Sequence, residues 1–266
     1  MLWDGGTLHR VARVVDHTVV ALLPLDQGDA VVMRDVGDRL LAQGSTVSLP
    51  TARRLLSGLV ALHGAFEGCD LTGLCSLSDR YRLFAPAWHA SDPGPAPHPL
   101  RDFIVTGWDA FAELVPVDIR DVVFQLHEHP AVLGDALMAS TTPTLLHGDP
   151  KLENLGTDGD RVVAIDWGDL TGLGPAEVDV AWFAIQDGWR FDVMPREIFT
   201  AYAEVAGRAS DAGALDLACI GALTQFGFKL AGRCRSNDEA VRARSQELLT
   251  WWVTRVRDAL SAWSPT

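Results

Sequence analysis

The chain has 266 residues, 48% of them hydrophobic, and carries a net charge of −13 with a pI near 4.9. That length and nine tryptophans supply a core for one sizeable globular unit, or for one small and one large lobe. The acidic balance excludes a nucleic-acid partner, which would need a basic face, and suits either a cationic substrate or a merely well-solvated surface.

No apolar run approaches the ~20 residues of a membrane span, and Met1-Leu2-Trp3-Asp4 does not begin a secretory signal. Cys69, Cys75, Cys219 and Cys234 form no CxxC pair and lie at no metal spacing. Reduced thiols in the cytoplasm are the expectation.

Thr18 to Leu25 is β-branched and apolar, Asp26-Gln27-Gly28-Asp29 is a turn, and Ala30 to Val36 is a second strand. Together they predict a hairpin closed by Gly37. Ser48-Leu49-Pro50 then caps a helix through about Phe66, with Leu55, Leu56, Leu59, Val60, Leu62 and Phe66 as its buried face. Ser91 to Pro99 is too rich in proline for regular structure and reads as an exposed loop. Helical patterns follow over Leu100 to Leu114, over Val117 to His127 and in a short segment before Ser140. Further helices are expected over roughly 177–187, 195–206, 213–232 and 239–261. No internal repeat is present.

Residues 145–169 carry the chemistry. Leu145 and Leu146 deliver the chain into His147-Gly148-Asp149, and Asn154 follows five residues after Asp149. A turn at Asp158-Gly159-Asp160 leads to a β-branched strand, Val162 to Ile165, that ends on Asp166. Phosphoryl transfer from a nucleotide needs one group to orient the attacking hydroxyl and two to hold divalent metal against the phosphates. Pro150 and Gly156 suit a rigid loop that turns Asn154 back toward the metal, and Asp166 can reach the same metal from a neighbouring strand end. One amide and one carboxylate fit magnesium, which keeps phosphate oxygens and few protein ligands. A surface turn followed by an ordinary strand end would explain either piece alone, but not both in this order.

H-G-D-x4-N followed by I-D-W resembles the catalytic segment of the aminoglycoside phosphotransferase and choline kinase-like family, small-molecule relatives of the protein kinases. The resemblance implies an α+β, protein-kinase-like fold with a mainly helical C-lobe and a reduced N-terminal β lobe. It also implies ATP and Mg2+ as cofactors and a small-molecule hydroxyl (aminoglycoside, amino alcohol or sugar) as acceptor. In these terms Asp149 is the catalytic base and Asn154 and Asp166 are the metal ligands. Gly174-Pro175-Ala176-Glu177-Val178-Asp179-Val180-Ala181 is similar to the family's G-P-x3-D-L-A stretch, where Asp179 would brace the catalytic loop. Ala30 to Gly37 resembles the hinge strand, so the backbone of Met33, Arg34, Asp35 and Val36 is expected to hold the adenine. Leu59 to His63 is similar to the helix after the hinge. The implied division is a remnant N-lobe over 1–36 and a helical C-lobe over 37–266.

Two departures matter. Lys151 stands where small-molecule kinases of this type often carry His; as in Ser/Thr protein kinases, an ammonium there would offset charge on the transferred phosphoryl group. The alternative is a solvated loop lysine, but the chain has only two lysines, Lys151 and Lys229, which favours a role. At the other end, no lysine precedes Lys151 and no glutamate precedes Glu67, so the usual strand-lysine and helix-glutamate pair cannot form upstream. Gly5-Gly6 is no phosphate loop. Leu2-Trp3 to His17 resembles the middle of the family's N-lobe, as though the chain began partway through the fold. Arg10 or Arg13 could replace the lysine or could lie on an exposed face.

Two classes therefore stand: an ATP-dependent phosphotransferase, or a catalytically impaired or N-terminally truncated kinase-like binding module. Among lesser candidates, His127 and His129 read as a metal pair or a solvated helix end, and His147 as a buried loop organiser. His63 reads as a packed helix residue. Trp182, Trp189, Trp251 and Trp252 read as core or as an ammonium box, and Asp187 and Asp192 as acceptor contacts.

Overall fold

The computed structural model describes residues 5–25, 28–87 and 99–263. Among the described residues helices dominate, and the strands form three two-stranded sheets, in line with the α+β expectation. A short helix, α1 (Gly5–Ala12), leads into an antiparallel hairpin of β1 (Val19–Leu25) and β2 (Gly28–Met33). Asp26 and Gln27 of the expected turn lie outside the described residues, as do Leu2-Trp3 and Ser91 to His98.

β2 ends at Met33, three residues before the expected Val36. The Arg34 N–H still reaches the Thr18 carbonyl (2.9 Å), but the Asp35 carboxylate then accepts the Gly37 N–H (3.0 Å), so a side-chain turn replaces the ladder. The next stretch is pinned beneath the site, where the Leu41 N–H donates to the Leu155 carbonyl and the Thr157 N–H to that of Arg39.

α2 (Leu49–Phe66) starts where its cap signal lies, with the Ser48 side chain accepting the Thr51 N–H and Pro50 in the first turn. Leu55, Leu56, Leu59, Leu62 and Phe66 are buried as expected, whereas Val60 is only half-buried. His63 lies fully inside on the same helix.

The helical part comprises α3 (Leu77–Arg82), α4 (Pro99–Leu114), α5 (Val117–Glu128), α6 (Pro130–Ser140), α7 (Ala176–Gln186), α8 (Pro195–Ala206), α9 (Ala212–Arg233) and α10 (Glu239–Ala262). α9 is its axis: it packs against α4, α7 and α10 and is buried from Leu217 to Phe228 without interruption. A helix that apolar would pass for a membrane span by length alone, but here it is the core.

Between α6 and α7 run the elements that carry the site. β3 (Thr144–Leu146) is wholly buried, β4 (Leu155–Asp158) and β5 (Arg161–Ala164) form the expected hairpin, and β6 (Gly172–Gly174) returns to pair with β3. The N-terminal segment is stitched to this hairpin, since Asp16 exchanges backbone hydrogen bonds with Val162 and Ala164 (both 2.9 Å). Neither α3 nor β6 was among the expected elements.

Candidate active site

β3 ends in the loop His147-Gly148-Asp149, which leaves regular structure and must find partners for its amides elsewhere. Gly148 adopts φ 91°, and a Cβ there would lie 2.0 Å from the Leu170 carbonyl oxygen, so only glycine passes this point. Asp179, in the first turn of α7, supplies the partners: its carboxylate accepts the N–H groups of His147 (2.7 Å) and Gly148 (3.1 Å). Asp179 is fully buried, with His63 Nε2 at 3.2 Å and Arg80 Nη2 at 4.0 Å. Burial pushes its carboxyl up, but the His63 hydrogen bond and the nearby Arg80 guanidinium outweigh that, and the net shift is downward. Asp179 thus braces the loop, as the family pattern implies.

His147 organises the same loop from inside. Its Nδ1 accepts the Asp149 N–H (3.2 Å), which leaves Nε2 to donate to the Ile165 carbonyl (3.0 Å), and its ring packs on Trp167 at 4.5 Å. Burial pushes its pKa down, so the ring is neutral and holds one tautomer.

Asp149 has two differently occupied faces. Oδ1 accepts the indole N–H of Trp182 on α7 (3.1 Å). Oδ2 accepts from Lys151 Nζ (2.6 Å) and Asn154 Nδ2 (3.1 Å). Asn154 Nδ2 also reaches the Asp149 carbonyl (2.9 Å) and Asp166 Oδ2 (3.3 Å), and Lys151 Nζ lies 3.7 Å from Asp166 Oδ2. The structure therefore brings together Asp149, Lys151, Asn154 and Asp166. Burial lowers the Lys151 pKa, but the Asp149 charge and hydrogen bond raise it further, so the ammonium is firmly charged. Asp166 sits at φ 64°, a left-handed conformation that a non-glycine residue adopts only when its surroundings impose it.

Met33, Arg34, Asp35 and Val36 lie at the end of the N-terminal hairpin. Met33 pairs with Val19, the Arg34 side chain pairs with Asp16, Val36 is buried, and its carbonyl accepts the Arg39 N–H (2.8 Å). Among the described residues no hydrogen bond engages the Asp35 backbone N–H or carbonyl.

Several sequence readings change. Asp187 and Asp192 each hold a backbone amide. Asp187 is buried and its carboxylate holds the Leu152 N–H (3.0 Å) beneath the turn that ends on Asn154, while Asp192 accepts the Leu49 N–H (3.1 Å) at the start of α2. His127 is no solvated helix end: Nε2 lies 2.7 Å from the Thr224 carbonyl, the ring packs on Trp108, and burial pushes its pKa down to about 4. The tryptophans do not share one box, since Trp182 packs on Phe226 and Trp251 on Trp252. Arg10 and Arg13 are exposed; Arg10 donates to the Ala65 carbonyl and lies over the Phe66 ring, and Arg13 meets His9.

Three site features were missed in the sequence. One is the Trp182 bond to Asp149. The second is Arg190, fully buried and joining Glu153 (2.5 Å) to the Ala42 and Ser45 carbonyls. The third is Arg80, 1% exposed and stacked 3.9 Å over Trp182, with no hydrogen-bond partner for its guanidinium among the described residues.

A sequence model of the phosphotransferase enzyme family, APH, matches residues 4–214. The chain belongs to this family. Its structure is similar to that of a choline/ethanolamine kinase family protein from Mesorhizobium loti (16% identity, 96% of this chain and 79% of that one, TM-score 0.52). It is similar also to an aminoglycoside phosphotransferase from Alicyclobacillus acidocaldarius (15% identity, 96% and 82%, TM-score 0.53). A third likeness is to spectinomycin phosphotransferase in complex with ADP and spectinomycin (14% identity, 95% and 80%, TM-score 0.52). At these identities the likeness establishes the kinase-like phosphotransferase fold. A comparison with curated proteins gives no match.

Asp179→Ala should cost about 3–5 kcal/mol of stability, because it strands two buried N–H groups and the Arg80 charge. The depressed carboxyl sets the sign with pH. Its contribution is complete above the ordinary carboxylate range near pH ~4 and fades as the pH falls below it. Urea midpoints of wild type and Asp179→Ala should converge in acid; a gap that stays constant down to pH ~3 would contradict the assignment.

Proposed function

We propose that this protein transfers the γ-phosphoryl group of ATP to a hydroxyl of a small molecule. The observation that carries the reading is the convergence of Asp149, Asn154 and Asp166 around one point, with Asp149 held on a loop that Asp179 fixes from behind.

The residues fit a divalent ion. Asp149 Oδ2 and Asp166 Oδ2 both face the Asn154 amide nitrogen and the Lys151 ammonium, so positively polarised hydrogens fill the space between two carboxylates. Turning the Asn154 amide over presents its oxygen to the same point. Asn154 and Asp166 would then hold Mg2+, which when bound with ATP supplies charge neutralisation at the phosphates. Asp149 orients the acceptor hydroxyl and takes its proton, the Trp182 N–H keeping the carboxylate aimed. Lys151 offsets charge developing on the transferred group. The backbone from Met33 to Val36 holds the base through the Asp35 N–H and carbonyl, which bond to no other described residue. The lobes divide at 36/37, and the four free thiols suit a reducing cytoplasm.

A second reading, a kinase-like binding module of low activity, is favoured by one observation. Arg10 and Arg13, the residues that could stand in for a strand lysine, are engaged by the Ala65 carbonyl and Phe66 ring and by His9. The same observation bears on affinity, because a nucleotide here has a metal clamp and a base contact but no lysine on its α- and β-phosphates.

Calorimetry should accordingly give weak Mg–ATP binding, on the order of 0.1–1 mM, and Asp166→Ala should remove its dependence on magnesium. No heat at millimolar ATP with folded protein would reject the nucleotide site. If turnover is found with a panel of hydroxylated acceptors, Asp149→Asn should lower kcat and kcat/KM together by about 10²–10⁴, leaving nucleotide affinity little changed. Lys151→Ala should fall between. Undiminished turnover in Asp149→Asn would mean that another group serves as base.

A further inference from the structure

Asp149 separates two sides of the site. Oδ2 looks toward Asn154 and Asp166, where the metal is proposed to sit, and Oδ1 looks toward Trp182 on α7. One turn beyond Trp182 on α7 stands Gln186, and α9 lies along the same face with Phe226 packed on Trp182 at 4.3 Å. Three and seven residues after Phe226, on the same side of α9, come Lys229 and Arg233.

Both cations are held in an unusual way. Lys229 Nζ donates to Gln186 Oε1, and Arg233 Nη1 donates to the Gln186 carbonyl (3.1 Å) with its guanidinium 5.1 Å over the Trp189 ring. These partners are neutral, and among the described residues neither cation is paired with a carboxylate. The carboxylates that act on them from further away are already engaged: Asp187 by the Leu152 N–H, Glu153 by Arg190, and Asp149 by Trp182, Lys151 and Asn154. Trp189 Nε1, buried beside Arg233, has no partner either among the described residues.

Burial pushes Lys229 down to about 8 and Arg233 down to about 10, against the weaker opposing pull of Asp187 and Glu153. Yet Lys229, Trp189 and Arg233 all remain partly open, in a stretch where α7 and most of α9 are closed. A protein of charge −13 has thus placed one of its two lysines, and an arginine beside it, near its candidate base. A cationic acceptor would meet like charge there.

We propose that Lys229 and Arg233 bind an anionic group, carboxylate or phosphate, on the acceptor whose hydroxyl faces Asp149. The acceptor class is then a hydroxy acid or a phosphorylated polyol rather than an aminoglycoside or amino alcohol. The proposal rests on the phosphotransferase reading only for the role of the bound molecule; the anion site itself stands on Lys229, Arg233 and Trp189.

The test is calorimetric titration of the full chain, at constant ionic strength, with inorganic phosphate and separately with glycolate. Wild type should bind at least one of them, the stronger naming the group. Lys229→Met and Arg233→Gln, each checked for native helicity, should weaken that binding about tenfold or more, while Arg257→Gln, on α10 at an exposed ion pair with Asp118, retains it. No binding of either anion overturns the proposal, and so does binding that Lys229→Met and Arg233→Gln leave unchanged. Mg–ATP titrated into the same preparations separates the two readings. Nucleotide binding without an anion site keeps the phosphotransferase and removes this acceptor class. An anion site without nucleotide binding does the reverse.

Discussion

The buried carboxylate of Asp179 is the interaction on which the site depends. The segment after β3 leaves its sheet in the protein interior, where an unpaired amide costs about 1–3 kcal/mol. Asp179 meets two such amides with one side chain and can stay ionised there because His63 and Arg80 lie against it. Arg80 is bound by the same logic in reverse. With no hydrogen bond to its guanidinium among the described residues, it stays charged through the Asp179 carboxylate and the Trp182 ring. Trp182 in turn holds Asp149. Brace, cation, indole and base form one chain of contacts, so the geometry at Asp149 is a property of the core as much as of the loop.

Around that fixed base the charge is arranged by side, and the overall charge of the protein is a poor guide to it. One side places Asp149 and Asp166 around Lys151 and Asn154, the set proposed to hold a dication. The other side carries Lys229 and Arg233 against neutral partners. The acidic balance of the chain resides largely elsewhere, on surfaces where it favours solubility. A net charge of −13 suits either a cationic substrate or a merely solubilising surface; Lys229 and Arg233 are the local feature on which the proposed anionic acceptor rests.

Much of this was legible in the sequence, for reasons that separate local from non-local signals. α2 begins at its Ser48 cap, and the β4–β5 hairpin turns at Asp158-Gly159-Asp160, because caps and turns are written in adjacent residues. The meeting of Asp149, Asn154 and Asp166 followed from spacing along one short stretch. The elements not foreseen lack a local signal. β6 is Gly-Leu-Gly, a strand only because β3 lies beside it, and α3 is six residues long. The backbone partners of Asp187 and Asp192 were not legible for the same reason: the amides they hold belong to residues 35 and 143 positions away. His63 belongs to this class too, packed on its helix as expected but also joining Asp179 to Tyr202.

The central claim is that one buried carboxylate sets the geometry of a metal–nucleotide site made by Asn154 and Asp166. Electron paramagnetic resonance of Mn2+, titrated into the protein with ADP, reads that site without requiring turnover. The account predicts a nucleotide-dependent bound signal that Asn154→Ala abolishes and that Asp179→Asn broadens while the protein remains folded. A bound Mn2+ signal that is unchanged in Asn154→Ala would contradict it.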